Sequence, residues 1–244
     1  MTNECVEKIS VKYSEMDHNF SLKPYSLFNF LQDIASKSAE ELGFGYSFIS
    51  KRNLAWFLIK YRMEFNNYPV NITDLTLKTT PRGYNRLFAY RDFELTSNDK
   101  ILGKIFSIWS IVDVETRTPV LPQNVFAENN LMKPYEKKET DLSFGKIKQI
   151  TNPILIKEFE VRYNDLDVNK HANNGNYIVW AFEPLSYEFK TNHKIKTMDV
   201  VFKKELKFGE RIISEIEFLE DKLTVHRIKN LNNEDICLFQ VEWV

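Results

Sequence analysis

The sequence predicts an α+β protein built from two similar halves, each an antiparallel sheet wrapped around a long helix. Two observations support this class. The passage VKYSEMDHN at 11–19 returns 150 positions later as VRYNDLDVN at 161–169, with four identical residues and three conservative changes. Each copy then precedes a helical pattern and a series of strand patterns, so the strands follow the helix rather than alternate with it.

The first half has the order strand, helix and four strands. A helix is predicted over 24–43, because apolar residues recur at spacings of three, four and seven between Pro24 and Gly43. An alternating strand pattern precedes this helix, from Val6 to Tyr13. Runs of strand formers follow it at 54–66, 73–80, 86–96 and 101–114, with TSNDK at 96–100 as a hairpin turn.

The second half repeats this order. A strand is predicted at 157–163, and an apolar helical segment follows at 176–189. Pro184 should kink or shorten that helix, because proline removes a backbone N–H and its ring clashes with the preceding turn. The later strand patterns lie at 198–206, 211–220, 223–229 and 236–243, with NLNNED at 230–235 as a turn.

The repeat also sets the expected domain boundaries. We predict an N-terminal domain over 1–122, a polar linker over 123–152 and a C-terminal domain over 153–244. Two similar halves in one chain can pair as the subunits of an isologous dimer do.

The composition argues against several functional classes. A formal net charge of −1 gives no electrostatic footprint for nucleic acid, and no apolar run approaches the ~18 residues that span a membrane. There is no glycine-rich phosphate loop and no metal-ligand spacing. Cys5 and Cys237 are typical of reduced thiols, and the N-terminus has no secretion signal, so we expect a cytoplasmic protein without stable membrane insertion.

The second copy of the repeated passage is the candidate site. It places six polar residues directly before a helix: Asp165, Asp167, Asn169, His171, Asn173 and Asn174. The free N–H groups at a helix start can bind an oxyanion. A structural reading stays open, in which Asn173 or Asn174 caps the helix, Asp165 belongs to a turn and His171 is a packed histidine.

DLDVNKHANNGNYIVW resembles the D-x-N-x-H-x-N-N-x-x-Y signature of the acyl–acyl carrier protein thioesterases of plants and bacteria. YSEMD, AWFLIKYRMEF and FSIWSIVDVETRTPVLP extend the similarity along the chain. The resemblance implies a tandem hot-dog fold and hydrolysis of long-chain acyl–acyl carrier protein to free fatty acid in fatty-acid biosynthesis. It implies acyl carrier protein as the partner and no metal or organic cofactor, and it leaves a homodimer open.

The resemblance also implies an active site of Asp167, Asn169, His171 and Glu205, the last in VVFKKELKF at 200–208. Plant members carry a cysteine after that glutamate, whereas this chain has Leu206, so we expect Glu205 to activate water in place of a thiol. The oxyanion would be held by Asn169, His171 or helix N–H groups, and Asp167 would orient them. For substrate binding we select Asn173, Asn174, Tyr177, Trp56 and Phe57.

The first copy has Ser21 where the second has His171, so we expect the first half to hold the acyl chain instead. Two other functions remain: an acyl-coenzyme A thioesterase, and a non-catalytic acyl-binding hot-dog protein. Retention of all four active-site residues argues against the second. Lysine runs, including FKKELK at 202–207, suggest a basic docking surface for an acidic carrier protein.

Overall fold

An antiparallel sheet of eleven strands runs through the computed structural model, which describes residues 3–126 and 131–244. Residues 1–2 of the predicted N-terminal domain and 127–130 of the predicted linker lie outside the described residues. The sheet confirms the predicted class, since every strand pair in residues 3–126 and 131–244 is antiparallel and the helices do not alternate with the strands.

The first half follows the predicted order. Its elements are β1 (Cys5–Ser10), α1 (Pro24–Glu41), α2 (Tyr46–Ile49), β2 (Leu54–Phe65), β3 (Asp74–Tyr84), β4 (Ala89–Ser97) and β5 (Lys100–Asp113). Helix α1 starts at Pro24 and stops before Gly43, whose φ of 81° lies in the left-handed region that favours glycine. The predicted hairpin turn is confirmed, with Asn98 and Asp99 at φ of 47° and 60° between β4 and β5.

Two short elements were not predicted at the end of this half. They are β6 (Pro119–Val120), which pairs with β5, and α3 (Pro122–Phe126), which buries Val125 and Phe126. Elements of two and five residues are too short to show a periodicity, so the sequence predicted no element at 115–122 and placed the rest of α3 in the linker.

The second half contains β7 (Leu155–Glu160), α4 (Asn174–Phe182), α5 (Tyr187–Asn192), β8 (Ile195–Phe202), β9 (Arg211–Glu220), β10 (Leu223–Asn230) and β11 (Asp235–Trp243). The helix predicted over 176–189 is therefore two helices, and Pro184 lies in the break as expected. Strands β7 and β8 end earlier than predicted, at Glu160 and Phe202. Among the described helices none is long and apolar enough to cross a membrane.

The two halves share one sheet through an antiparallel seam between β2 and β8. The pairs run from Lys60 with Val201 to Glu64 with Thr197, and Arg62 with Asp199 is the middle pair. Arg62 Nη1 lies 2.6 Å from the Asp199 carboxylate. Burial raises the pKa of Asp199, and the Arg62 guanidinium opposes that rise. The halves therefore meet as an isologous dimer would.

Helices α1 and α4 pack against each other at the same pseudo-twofold interface. A side chain on Gly175 would bring its Cβ within 3.0 Å of both Tyr25 Cδ2 and Asn29 Oδ1 of α1. A larger residue at this position of α4 would therefore need the Tyr25 or Asn29 side chain to move by a few tenths of an ångström.

The linker crosses the outer face of the sheet. Tyr135 stacks on Tyr90 of β4 with ring centres 4.1 Å apart, and the Phe144 ring lies 5.6 Å from Phe106 of β5. Further along, the Lys148 N–H donates to Gln240 of β11 over 3.1 Å. From Tyr135 onward the connection thus lies on the face opposite the helices.

Candidate active site

Asp167 holds the loop after β7 in a tight turn. Its Oδ1 accepts the backbone N–H of Asn169 over 2.8 Å and that of His171 over 3.2 Å. Lys170 between them has a φ of 64°, an uncommon left-handed conformation for a non-glycine residue. Asp167 therefore positions the backbone of the loop.

His171 and Glu205 meet at the edge of this loop. His171 Nδ1 lies 3.4 Å from Glu205 Oε1, and both side chains are partly buried. Two contacts hold the Glu205 segment in place: the Ala172 N–H donates to the Leu206 carbonyl over 2.8 Å, and the Tyr177 hydroxyl donates to the Lys204 carbonyl over 3.4 Å. The structure thus brings together two residues that are 34 positions apart in the sequence.

Arg117 is a third member of the site that the sequence analysis missed. Its guanidinium forms an ion pair with the other oxygen of the Glu205 carboxylate. Arg117 lies in the turn after β5 at a φ of 58°, and Asp113 holds that turn by accepting the Glu115 and Thr116 N–H groups. A contact across 88 positions leaves no local signal, and the only pointer was its position in FSIWSIVDVETRTPVLP.

The surroundings of His171 favour its neutral form. Burial lowers the pKa of His171, and the positive charges of Arg117 and Lys207 lower it further, while Asp167 acts in the opposite direction. A neutral imidazole offers one donor and one acceptor nitrogen. His171 can therefore face Glu205 with an N–H and still present a polar nitrogen to a ligand.

The asparagines at the start of α4 have separate roles. Asn173 caps the helix, with its Oδ1 accepting the Gly175 N–H over 2.7 Å, so the capping interpretation is confirmed for Asn173. Asn174 Nδ2 donates to Gln32 Oε1 of α1 over 3.1 Å and so contacts the other half. Within 3–126 and 131–244, the Asn174 backbone N–H has no hydrogen-bond acceptor, which leaves a free donor at this helix start.

The other expected residues occupy different positions. Asn169 is exposed, with its Nδ2 3.5 Å from Asp167 Oδ2, and the described hydrogen bonds do not join its side chain to His171 or Glu205. Tyr177 is 2% exposed and packs edge-on against Phe202, so it supports the site from the core.

Trp56 and Phe57 point to opposite faces of β2, as neighbours on a strand do. Phe57 lines a groove of about 490 Å³ together with Glu205 and Arg117. Trp56 lines a smaller cavity of about 60 Å³ with Ala39 of α1, and its ring lies 5.9 Å from Phe126. Only Phe57 therefore shares a cavity with the carboxylate.

The groove beside Glu205 has a basic rim formed by Arg117, Lys203, Lys204 and Lys207. Lys203 pairs with Asp235 over 2.6 Å and Lys204 with Glu234 over 2.9 Å. Lys207 is exposed and forms no ion pair within the described residues. The predicted docking lysines are Lys203, Lys204 and Lys207. Within the described residues, Lys207 is thus the one of the three that forms no ion pair with an acid.

Neither cysteine lies at this site. Cys5 and Cys237 are both buried free thiols, and burial raises the pKa of each. Raising a thiol pKa disfavours the reactive thiolate. Among the described residues no three His, Cys, Asp or Glu side chains are grouped so that they could hold a metal ion.

Comparisons with known proteins agree along the whole chain. The model of the acyl-ACP thioesterase N-terminal domain matches residues 3–128, and that of the C-terminal domain matches residues 148–244. A chloroplastic oleoyl-acyl carrier protein thioesterase of Coriandrum sativum is 24% identical over 234 residues, which cover 85% of this chain and 61% of the relative. A chloroplastic acyl-[acyl-carrier-protein] hydrolase of Cuphea viscosissima is 23% identical over 97% of this chain and 61% of its own length. The chain thus spans about three fifths of these plant relatives.

Solved structures show the same fold. An acyl-ACP thioesterase from Bacteroides thetaiotaomicron superposes with a TM-score of 0.86 at 21% identity, over 99% of this chain and 98% of that one. A 12:0-ACP thioesterase from Umbellularia californica gives a TM-score of 0.86 at 18% identity, over 100% and 98%. At these identities the similarity establishes a tandem hot-dog architecture for the present chain.

Proposed function

The chain belongs to the acyl-ACP thioesterase family, and on that premise we propose that it hydrolyses long-chain acyl–acyl carrier protein to free fatty acid in fatty-acid biosynthesis. The observation that carries the proposal is the meeting of His171 and Glu205, 3.4 Å apart, beside an open groove. An acyl-binding protein without catalytic activity would need neither a partly buried carboxylate nor a neutral imidazole next to it.

Glu205 acts as the general base in this proposal. Its carboxylate takes a proton from a water molecule as the water oxygen bonds to the thioester carbonyl carbon, a contribution of roughly 10²–10⁴-fold in rate. When the tetrahedral intermediate collapses, the carbon–sulfur bond breaks and the proton passes to the leaving thiolate. Arg117 orients the carboxylate through their ion pair.

Donors around the α4 start stabilise the developing oxyanion. The free Asn174 N–H is the candidate that the geometry supports, because a neutral His171 whose Nδ1–H faces Glu205 leaves only an acceptor at Nε2. One such donor contributes on the order of 3 kcal/mol to the transition state. Asn169 lies outside this group and acts through the loop that Asp167 holds.

The acyl chain extends into the first half in this proposal. Asn174 contacts Gln32 of α1, and further along the same helix Ser36 and Ala39 line the small cavity with Trp56. Helical residues three or four apart share a face, so Gln32, Ser36 and Ala39 mark one path along α1. With the acyl chain on this path, the first domain binds the chain and the second domain carries out the catalysis, which is the division that the sequence predicts.

The basic rim binds the carrier. Acyl carrier protein is acidic and delivers its substrate on a phosphate-bearing arm, which suits a groove edged by Arg117 and Lys207. Coenzyme A carries the same arm, so an acyl-coenzyme A thioesterase remains the alternative that this groove also accommodates. A cytoplasmic location and a homodimer stay predictions.

The direct test is an incubation of the purified protein with carrier-protein and coenzyme A thioesters of several chain lengths, followed by identification of the released acids. We expect free fatty acid from the carrier-protein thioesters, with a higher kcat/KM than from the matching coenzyme A thioesters. A preference for coenzyme A would select the alternative, and no release from either series would contradict the proposal.

A further inference from the structure

A cavity of about 400 Å³ lies beside the loop of the first copy and shares no lining residue with the groove of Glu205. Its walls are mainly apolar and include Leu22, Tyr68, Ile178, Phe182, Ile195 and Trp243. Cavities that bind small molecules measure about 300–1,000 Å³ and combine apolar walls with a few polar groups. Neither the proposed chemistry nor the proposed acyl path uses this space.

The break at Pro184 builds one wall of the cavity. Helix α1 of the first half is unbroken over 18 residues, whereas the second half continues from α4 into the separate α5. Helix α5 lies against the first-copy loop, where Tyr187 stacks on His18 with ring centres 5.0 Å apart and Asn19 Nδ2 donates to the Thr191 carbonyl over 3.2 Å. The two halves thus enclose different spaces at equivalent positions.

Ser21 provides a polar group that lacks a partner at this cavity. It occupies the position of His171 in the first copy and is 2% exposed. Within the described residues its Oγ makes no hydrogen bond, although the residue lines the cavity. An unsatisfied buried hydroxyl costs about 1–3 kcal/mol, so a bound molecule that reaches Ser21 would be favoured.

The charges around the cavity favour an anionic ligand. Lys23, Lys190 and Lys194 face two acids, Asp17 and Glu183. Both acids are already engaged, because Asp17 Oδ1 accepts two backbone N–H groups and Glu183 pairs with Lys157 and Lys190.

Lys23 and Lys194 line the cavity without an ion pair in the part of the chain that the structure describes, and Lys23 is exposed and donates to the Ser14 carbonyl. Lys194 is half-buried. Pairs at partly buried positions are screened less by salt than pairs at exposed ones. A ligand with a single anionic head and an apolar body would match both Lys194 and the walls.

We propose that this cavity binds a free fatty acid anion, with the carboxylate at Lys194 and the chain along Phe182 and Trp243. The choice of fatty acid rests on the proposed function, since that reaction releases this class of molecule. The site is separate from Glu205, so a bound acid would not occupy the catalytic groove.

The test is a titration of the protein with dodecanoate, followed by NMR of isoleucine methyl groups. Ile178 and Ile195 line the cavity, whereas Ile59 lines the groove of Glu205, so the two sites report separately. We expect saturable shifts at Ile178 and Ile195 in the wild-type protein. They should also appear in His171→Ala, which lacks the catalytic imidazole.

Two variants test the assignment. Val179 is 41% exposed at the cavity, so Val179→Trp should fill the entrance without opening the core. Lys194→Glu should repel the carboxylate. Each should weaken the Ile178 and Ile195 response at least tenfold. Matched changes at exposed positions of β1, Val6→Trp and Lys8→Glu, should not alter it.

The outcomes separate this inference from the proposed function. The second site would be overturned, even in an active thioesterase, by shifts confined to Ile59 or by no shifts at all. It would also be overturned if Val179→Trp and Lys194→Glu bound dodecanoate as tightly as the wild type does. Conversely, shifts at Ile178 and Ile195 that depend on Val179 and Lys194 would support the site even if no thioester were hydrolysed. In that case only the proposed function would fail.

Discussion

The loops at 11–24 and 161–174 have nearly the same backbone and different chemistry. In each, an aspartate Oδ1 accepts two N–H groups: Asp17 bonds Asn19 and Ser21 over 2.8 and 2.9 Å, as Asp167 bonds Asn169 and His171. The residue before the serine or histidine is left-handed in both copies, at φ of 56° for the first and 64° for the second.

The two copies differ at the side chains that face the ligand. The Leu22 N–H donates to the Pro69 carbonyl as the Ala172 N–H donates to the Leu206 carbonyl, which makes Tyr68 the counterpart of Glu205. The first copy therefore has Ser21 and Tyr68 where the second has His171 and Glu205. The scaffold is common to both loops, and in our account two side chains confer the chemistry.

The largest effect should come from removing the imidazole that the first copy lacks. We expect His171→Ala to lower kcat on acyl–acyl carrier protein at least a hundredfold, because the imidazole that positions the Glu205 carboxylate is lost. The melting temperature should change little, since His171 is partly exposed. A folded variant with near-normal kcat would mean that the loop difference is not catalytic.

The two halves also differ in a basic side chain that is buried in the core of each. The first half buries Arg91, which donates to Ser38 and Thr79 hydroxyls over 3.0 Å each. Burial lowers its pKa to about 10, so it stays charged at neutral pH. The second half buries His226 between the Ala181 carbonyl and Thr224, and burial lowers its pKa to about 4.

His226 should make stability depend on pH. The unfolded chain binds a proton at this histidine near pH ~6.5, whereas the folded chain does so only near pH 4. The free energy of unfolding should therefore fall as the pH drops between these values, by on the order of 3 kcal/mol. Urea unfolding at several pH values should show a smaller decrease for His226→Gln than for the wild type. Parallel curves for the two proteins would contradict the assignment.

Equivalent changes at the two loop aspartates separate scaffold from chemistry. Asp17→Ala and Asp167→Ala each remove the acceptor of two N–H groups, so both should lower the free energy of unfolding by about 1–3 kcal/mol. Only the second loop bears His171, so the loss of kcat at Asp167 should exceed that at Asp17 at least tenfold. Equal losses of kcat would show that both loops serve the reaction.

The smallest effect concerns the basic rim, which belongs to the second copy. Lys207→Glu should raise KM for carrier-protein substrates several-fold at low salt, and this effect should shrink at high salt because exposed charges are screened over ~8–10 Å. Lys100→Glu, in the β4–β5 hairpin, is the control. An equal effect of Lys207→Glu on a short uncharged thioester would mean that Lys207 shapes the site instead of docking the carrier.

Most of the fold was readable from the sequence because hydrophobic periodicity and proline act locally. Helix α1, the Asn98–Asp99 turn and the break at Pro184 all follow from residues within a few positions of one another. The ends of β7 and β8 were predicted less accurately, because a strand ends where its pairing with the neighbouring strands ends, and its own residues do not show that point.

The site was only partly readable. The Asp167 to Asn174 series is local, whereas Glu205 came from the family resemblance and Arg117 from the folded chain alone. Trp56 and Phe57 were selected as a pair, although strand alternation sends them to opposite faces. The alternation was visible in the sequence, but the face that holds the groove was not.

The most direct test of the account is the single-turnover rate of long-chain acyl–acyl carrier protein hydrolysis by Glu205→Gln. The control is Glu158→Gln on β7, which breaks an exposed ion pair with Arg211 of β9 and should retain the rate to within about twofold. We expect Glu205→Gln to be slower at least a hundredfold, because an amide cannot take the proton from water. A rate for Glu205→Gln close to that of the control would contradict the assignment of the chemistry to the second copy's carboxylate.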